Sequence, residues 1–379
     1  MSHRKLATLR IISALDPISG ADVIEVATVD SWRVIVQKGK YKVGSLVVYF
    51  EIDSWIPEKL APFLTKKVAK EFNGVPGNRL KTIKMKGQIS QGLILDPADI
   101  TKIVPEFNTL EVDVTEILGI QKWEEPHTFG FFRQKGTFPL FVPKTDQERI
   151  QNLTNKFDDL KTCRWEVTEK YDGSSMTVYV YGDKSGVCSR NVDIMLETEL
   201  IQTDLPIEKT SDDLQHLHKD SPEFKTALKI QQSVFWSVAL REKLLDKIKE
   251  SGLNIALQGE LVGFSIGPNI YKLKNQDFYL YDIYDINRHC YFDPVSRQEF
   301  AKKYNIKHVP VLINDFEITE SIDDLLLFAE GSSILNSKTE REGLVFKNMI
   351  QERLPVADVK TCTLRSFKAV SNKYLIENH

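Results

Sequence analysis

Short apolar runs separated by glycines open the chain. Residues 4–12, 23–29, 32–37, 45–52, 79–86 and 92–95 are rich in Val, Ile and Tyr, and Gly20, Gly39, Gly44, Gly74, Gly77 and Gly87 punctuate them. Five or six short strands within residues 1–110 predict a small closed barrel of the OB type, although any small barrel or sandwich fits the pattern. Residues 111–144 lose the alternation. Turn residues and scattered aromatics (Trp123, Phe129, Phe131, Phe132) predict a connector there. Thr145 followed three positions on by Glu148 makes a capping box, which predicts a helix over 146–156. From 163 onward the apolar pattern alternates between two periods. Residues 165–168, 176–181, 255–262, 278–285 and 343–346 predict strands. Ser221 and Pro222 start a helical stretch through Glu250, with Phe224, Leu228, Val234, Val238, Leu244 and Ile248 at roughly helical spacing. The expected class is α+β, with residues 145–379 as the larger domain.

The 379 residues suffice for two cores, and 42% hydrophobic with 27% charged residues is an ordinary globular composition. No apolar run approaches the roughly 20 residues that cross a bilayer, and no apolar stretch follows the basic start, so a soluble intracellular protein is expected. The four cysteines form no CxxC pair, which argues against a zinc site or a disulfide framework. A net charge of −3 means that any nucleic-acid surface must be local. Segment 79–86 carries Arg79, Lys81, Lys84 and Lys86, and either lines a phosphate-binding face or is a solvated edge protected by lysines.

The chemistry concentrates at Glu169-Lys170-Tyr171-Asp172-Gly173-Ser174-Ser175. A lysine two residues before Asp-Gly at a strand end sets an amine on a tight turn whose backbone can approach a nucleotide. Alone, these residues fit a polar hairpin turn as well. Five companions follow in order: Ser189-Arg190-Asn191; residues 258–263, where Glu260 is a lone carboxylate in an apolar strand; the aromatic strand 277–283; residues 341–347, with Glu342 ahead of an apolar strand; and Ser366-Phe367-Lys368-Ala369. For each glutamate the competing explanation is a paired surface charge.

The ordered set resembles motifs I, Ia, III, IIIa, IV and V of the covalent nucleotidyltransferases, the superfamily of ATP-dependent ligases and mRNA capping enzymes. Segments 144–153, 174–179, 278–286, 307–312, 367–375 and 50–56 extend the similarity to RNA ligases of the type found in Naegleria. That resemblance implies an N-terminal OB-type β-barrel (1–110), a connector (111–144) and an ATP-grasp-like nucleotidyltransferase domain of antiparallel sheets with flanking helices (145–379). It also implies that Lys170 attacks the α-phosphate of ATP, and that Lys368 stabilises the charge developing there. Glu260 and Glu342 would hold Mg²⁺ or Mn²⁺, with Asp172 joining them through water. Arg190 would hold ribose or phosphate, Phe278 (with Tyr281 as the alternative) would stack on adenine, and Arg149 would touch a phosphate. Glu169, Gly173, Val345 and Lys347 complete the implied ATP-binding set. The implied partners are RNA ends, or a nicked duplex with 3′-OH and 5′-phosphate, bound by a monomer without a membrane. Two departures narrow the choice of family. Val370 stands where some phage-type RNA ligases have a second basic residue, and only 11 residues follow Lys368, leaving no room there for the C-terminal OB domain of capping enzymes. A DNA ligase, a sugar-indifferent ligase and a non-catalytic nucleic-acid-binding protein on the same fold remain as alternatives.

Overall fold

The computed structural model describes residues 4–65, 68, 70–107, 112–124, 134–196, 233–350 and 364–378. The N-terminal part is a nearly closed antiparallel barrel of the OB kind. One sheet has the order Leu93–Leu95, Leu46–Phe50, Ala7–Pro17, Ile24–Val29, Trp32–Gln37. The long strand Ala7–Pro17 serves two neighbours: its first half pairs with Leu46–Phe50 and its second half, past a bulge at Ile12–Ala14, with Ile24–Val29. Such a bulge bends a strand enough to close a small barrel. A second sheet joins Gln121–Lys122, Ser54–Pro57, Val75–Arg79 and Lys70–Phe72. The connector therefore divides. Val114, Leu118 and Ile120 pack into the barrel core with Val48, Phe50 and Ile100, whereas Gln134–Thr137 pairs with Val192–Ile194 of the following sheet. Phe129, Phe131 and Phe132 lie outside the described residues.

Two sheets form the rest. A seven-stranded sheet runs Gln134–Thr137, Val192–Ile194, Lys184–Cys188, Ser174–Tyr181, Ile255–Gly263, Gln276–Asp285, Cys290–Tyr291. A five-stranded sheet runs Glu148–Arg149, Ser366–Val370, Gly343–Asn348, Arg164–Lys170, Val311–Glu317. Period-2 alternation sends Trp165, Val167, Leu344, Phe346, Phe367 and Ala369 into one core and leaves Thr168, Lys170, Val345, Lys347 and Lys368 on the opposite face. The core rings interlock. Phe346 stacks on Phe367 at 4.6 Å and Trp165 meets Phe367 edge-on at 4.9 Å, each contact contributing about 0.5–1.5 kcal/mol beyond area burial. Among the described residues no helix is long and apolar enough to cross a membrane.

Three expectations need correction. Residues 146–156 are not one capped helix. Glu148–Arg149 is extended and pairs in parallel with Phe367–Lys368, and a 3₁₀ helix follows over Ile150–Lys156. The Thr145 hydroxyl is 2.9 Å from Tyr281 Oη instead of capping, and Glu148 accepts from the Asn152 side chain at 2.7 Å. Residues 79–86 are not one strand either. The chain breaks at buried Leu80, whose N–H donates to the Ser54 carbonyl, and Thr82–Met85 forms a separate hairpin with Gln88–Gln91. Of the expected helix from Ser221, residues 221–232, including Phe224 and Leu228, lie outside the described residues. The remainder is two helices, Val234–Arg241 and Leu244–Ser251, parted at Lys243 with its left-handed φ of 53°.

A buried ionic cluster lies behind the site strands. Glu166 accepts from Arg297 and from Gln298, and Asp282 takes Lys347 at 2.6 Å and Arg365 through two bonds at 3.2 and 3.1 Å. His308 joins as a neutral ring, accepting from Arg297 Nε at 2.9 Å while Nδ1 donates to the Val309 carbonyl at 2.5 Å. Burial, then the Arg297 charge, pushes its pKa down to about 3. Between that value and the ordinary 6.5 the unfolded chain binds the extra proton, so stability is full above pH 6.5 and falls as pH drops towards 3. His308→Gln keeps an acceptor without the titration. Its unfolding midpoint should fall less steeply with acid than that of the unsubstituted protein, a difference on the order of 2 kcal/mol after screening by partial exposure. Parallel acid profiles in thermal melts would disprove this.

Candidate active site

The polar faces of the two sheets enclose a cavity of about 300 Å³. The five-stranded sheet contributes Thr168, Lys170, Val345, Lys347 and Lys368, and the seven-stranded sheet contributes Ser175, Glu260 and Tyr281. The turn 171–173 joins them and has to be tight. A Cβ on Gly173 would lie 2.3 Å from the Leu261 carbonyl oxygen and 2.8 Å from Val262, so only glycine lets the turn press against the Ile255–Gly263 strand.

Lys170 Nζ lies 2.6 Å from Glu342 Oε1. Burial opposes its charge, but Glu342 and then Glu260 outweigh that and hold the amine above its ordinary pKa. Glu260 shows the reverse balance. Burial pushes its carboxyl up to about 8, with Glu342 and Asp172 adding to the rise and Lys170 opposing it. In the same cleft, the Asp146 carboxylate gathers Lys368 at 3.4 Å, Lys122 at 3.4 Å and Arg190 at 3.3 Å. Burial pushes Lys368 down to about 7 against the pull of Asp146. Lys347 lines the cleft, but its amine is turned to Asp282 and to the Tyr281 carbonyl, and burial again lowers it to about 7. Glu169 accepts the Ile334 N–H at 2.9 Å through Oε2, while its buried Oε1 has no hydrogen-bond partner among the described residues.

Glu169, Lys170, Asp172, Gly173, Arg190, Glu260, Glu342, Val345, Lys347 and Lys368 are thus brought to one cleft. Phe278 and Arg149 are not. Phe278 is fully buried on the other face of its sheet, its ring over Gly259. From the same strand it is Tyr281 that reaches the cleft, at a bulge where Gln258 pairs with Asp282 and Gly259 with Leu280, and Tyr171 and Phe235 line the cleft as well. Arg149 is 5% exposed and pairs with Asp53 of the barrel at 3.2 Å. The basic residues of segment 79–86 also stay out of the cleft: Arg79 pairs with Asp53 at 2.6 Å and stacks on Trp123, and Lys81, Lys84 and Lys86 are exposed. The sequence assigns no role to Asp146, Tyr271 or Lys122. Each lies in a loop or a two-residue strand, and no periodicity marks it.

Among the described residues no three His, Cys, Asp or Glu side chains converge as a ready-made metal cage. Glu260, Glu342 and Asp172 nevertheless line one cleft around Lys170, an all-oxygen donor set that fits a hard divalent ion keeping part of its shell as water.

Known proteins resemble both parts of the chain. An OB-fold domain model matches residues 6–97, and an RNA ligase model matches residues 164–370. No curated protein matches the chain. Among solved structures, the Naegleria gruberi RNA ligase with pyrophosphate is 40% identical, covers 100% of this chain and 99% of its own, and superposes with a TM-score of 0.80. Variants of that enzyme with AMP and manganese, and with ATP and manganese, are each 39% identical over 99% of both chains, with a TM-score of 0.79. With the family model matched over residues 164–370 and 40% identity along the whole length, this chain belongs to the RNA ligase family.

Proposed function

We propose that this chain joins RNA 3′-OH and 5′-phosphate ends at the expense of ATP, carrying AMP on Lys170. One observation carries the reading: the Lys170 amine stands in the cleft against Glu342, with Glu260 and Lys368 lining the same cleft. In the first step the Lys170 nitrogen forms a bond to the α-phosphorus, and the bond from that phosphorus to the β-phosphate oxygen breaks, releasing pyrophosphate. The 5′-phosphate of one end then takes the AMP and returns the amine. Finally, the 3′-OH of the other end attacks that 5′-phosphorus and expels AMP.

Each cleft residue has a task in this scheme. A divalent ion, Mg²⁺ or Mn²⁺, would be held by Glu260 and Glu342, with Asp172 through water, and would neutralise phosphate charge. Lys368 and Arg190, now gathered by Asp146 with Lys122, are the cations that a triphosphate would claim. Val345 and Tyr281 offer apolar and aromatic surface for the base, and Tyr281 takes the stacking role expected of Phe278. The reading is tested by supplying labelled ATP, then nicked duplexes that differ only in RNA or DNA at the 3′-OH strand. Equal sealing of both would make the enzyme indifferent to sugar, and no sealing of either would remove the ligase reading.

Glu169 supports adenine recognition. Its unpartnered, buried Oε1 suits the exocyclic amine of adenine, whereas the guanine oxygen would set acceptor against acceptor. Glu169→Ala should therefore raise KM for ATP about 10-fold and narrow the preference for ATP over GTP by a similar factor. Unchanged discrimination in a competition assay would remove Glu169 from the base pocket.

A further inference from the structure

The Tyr374 hydroxyl donates to Asp172 Oδ2 at 2.7 Å. Tyr374 belongs to the C-terminal helix Asn372–Asn378, and at 2% exposure its ring packs in the barrel core with Ile12, Trp32, Val47 and Tyr49. A second tyrosine holds the same turn, because the Asp172 N–H donates to Tyr271 Oη at 2.6 Å. The Tyr374 backbone is itself fixed. Its N–H donates to Ser371 Oγ at 3.1 Å, and the Ser371 N–H donates to the Glu342 carbonyl at 2.8 Å. One short segment thus touches the barrel core, the Glu342 backbone and the Asp172 carboxylate.

An apolar core needs only the ring. A phenylalanine would fill the same volume, and a buried hydroxyl costs free energy unless it is bonded. Here its partner is the aspartate of the Lys-Tyr-Asp-Gly turn. We infer that Tyr374 is a positioning residue, through which the docked barrel sets the direction of the Asp172 carboxylate in the cleft. This rests on the reading of Lys170 as the AMP carrier. The consequence is that barrel docking and the geometry of the catalytic turn form one coupled unit, because the helix that seals the barrel core also holds the turn.

Tyr374→Phe removes the hydroxyl and keeps the ring. Binding of Mn²⁺–ATP is measured by calorimetry in a Lys170→Met background, where no AMP transfer intervenes. Tyr374→Phe should weaken binding about 10-fold, the scale of one charge-assisted hydrogen bond. The ligand-free melting temperature should move by only a few degrees. In a protein that already carries Asp172→Ala, the same change should have no further effect, because the group it orients is gone. Unchanged affinity, an equal additional loss in the Asp172→Ala background, or a collapse of the melting temperature would each overturn the inference. Absence of AMP transfer by the unsubstituted protein would overturn the ligase reading and this inference with it, whereas an additive cycle in an active enzyme would sink this inference alone.

Discussion

Lys170→Ala is expected to abolish the transfer of labelled AMP from ATP to the protein, while leaving measurable sealing of a nick whose 5′ end is already adenylated. The unsubstituted protein should gain one AMP in a linkage stable to base and lost in acid, as a phosphoramidate is. On pKa alone Lys170 is an unexpected nucleophile, since Glu342 and Glu260 hold it above its ordinary value while burial lowers Lys368 to about 7. Geometry reverses that ranking. Lys170 sits beside the turn that Gly173 lets press against the neighbouring strand, whereas Lys368 is drawn to Asp146 at 3.4 Å. The burial that lowers Lys368 also acts strongly on Lys170, where only the neighbouring carboxylates together outweigh it. Once those carboxylates turn to a cation, burial favours the neutral amine that can attack. The last sealing step uses no lysine nucleophile, so its survival in Lys170→Ala would show that the cleft is intact. Persistent labelling of the variant, mapped by peptide digestion, would move the nucleophile to Lys368.

The residues legible in the sequence are those that a motif or an apolar strand sets apart. Glu260 and Lys368 each stand as a charged residue in an apolar run, where a lone charge has to face a cleft or a partner, Glu342 stands directly ahead of such a run, and Lys170 precedes Asp-Gly at a strand end. Which face an aromatic takes is harder to read. Phe278, paired with core-facing Leu261, turns to the core, and Tyr281, three positions on, turns to the cleft; nothing in a row of aromatics marks which face each one takes. A helix signal covers Arg149, to which the resemblance assigns a phosphate contact, but pairing with Phe367–Lys368 wins over the local capping preference and buries the side chain against Asp53. The barrel is visible as a set of short strands. Its union with the C-terminal helix through Val370, Tyr374 and Leu375 is not, because contacts between the two ends of a chain leave no local periodicity.

Replacing Glu342 or Glu260 by Gln should cut AMP transfer by at least the ~10²-fold that follows loss of one electrostatic contributor. The substitution keeps size and removes charge, and for Glu342 it separates two roles that predict opposite signs. If Glu342 served only as the ion-pair partner of Lys170 at 2.6 Å, its loss would remove the main influence raising the Lys170 pKa. The amine would be neutral more often, and transfer would become faster, most visibly on the acidic side of neutrality. If Glu342 instead holds the divalent ion and the nucleotide, the lost charge outweighs any gain in free amine and transfer falls. Glu260 provides the control. It also favours the charged amine, but burial already raises its own carboxyl to about 8, so without a cation it carries less than a full charge near neutral pH. Glu260→Gln should therefore change the metal-free protein little and affect the metal-dependent reaction greatly. Single-turnover labelling at several pH values and Mn²⁺ concentrations distinguishes these cases. A slower reaction in both variants fits ion and nucleotide binding, while a faster one in Glu342→Gln would identify that carboxylate as a brake on the lysine.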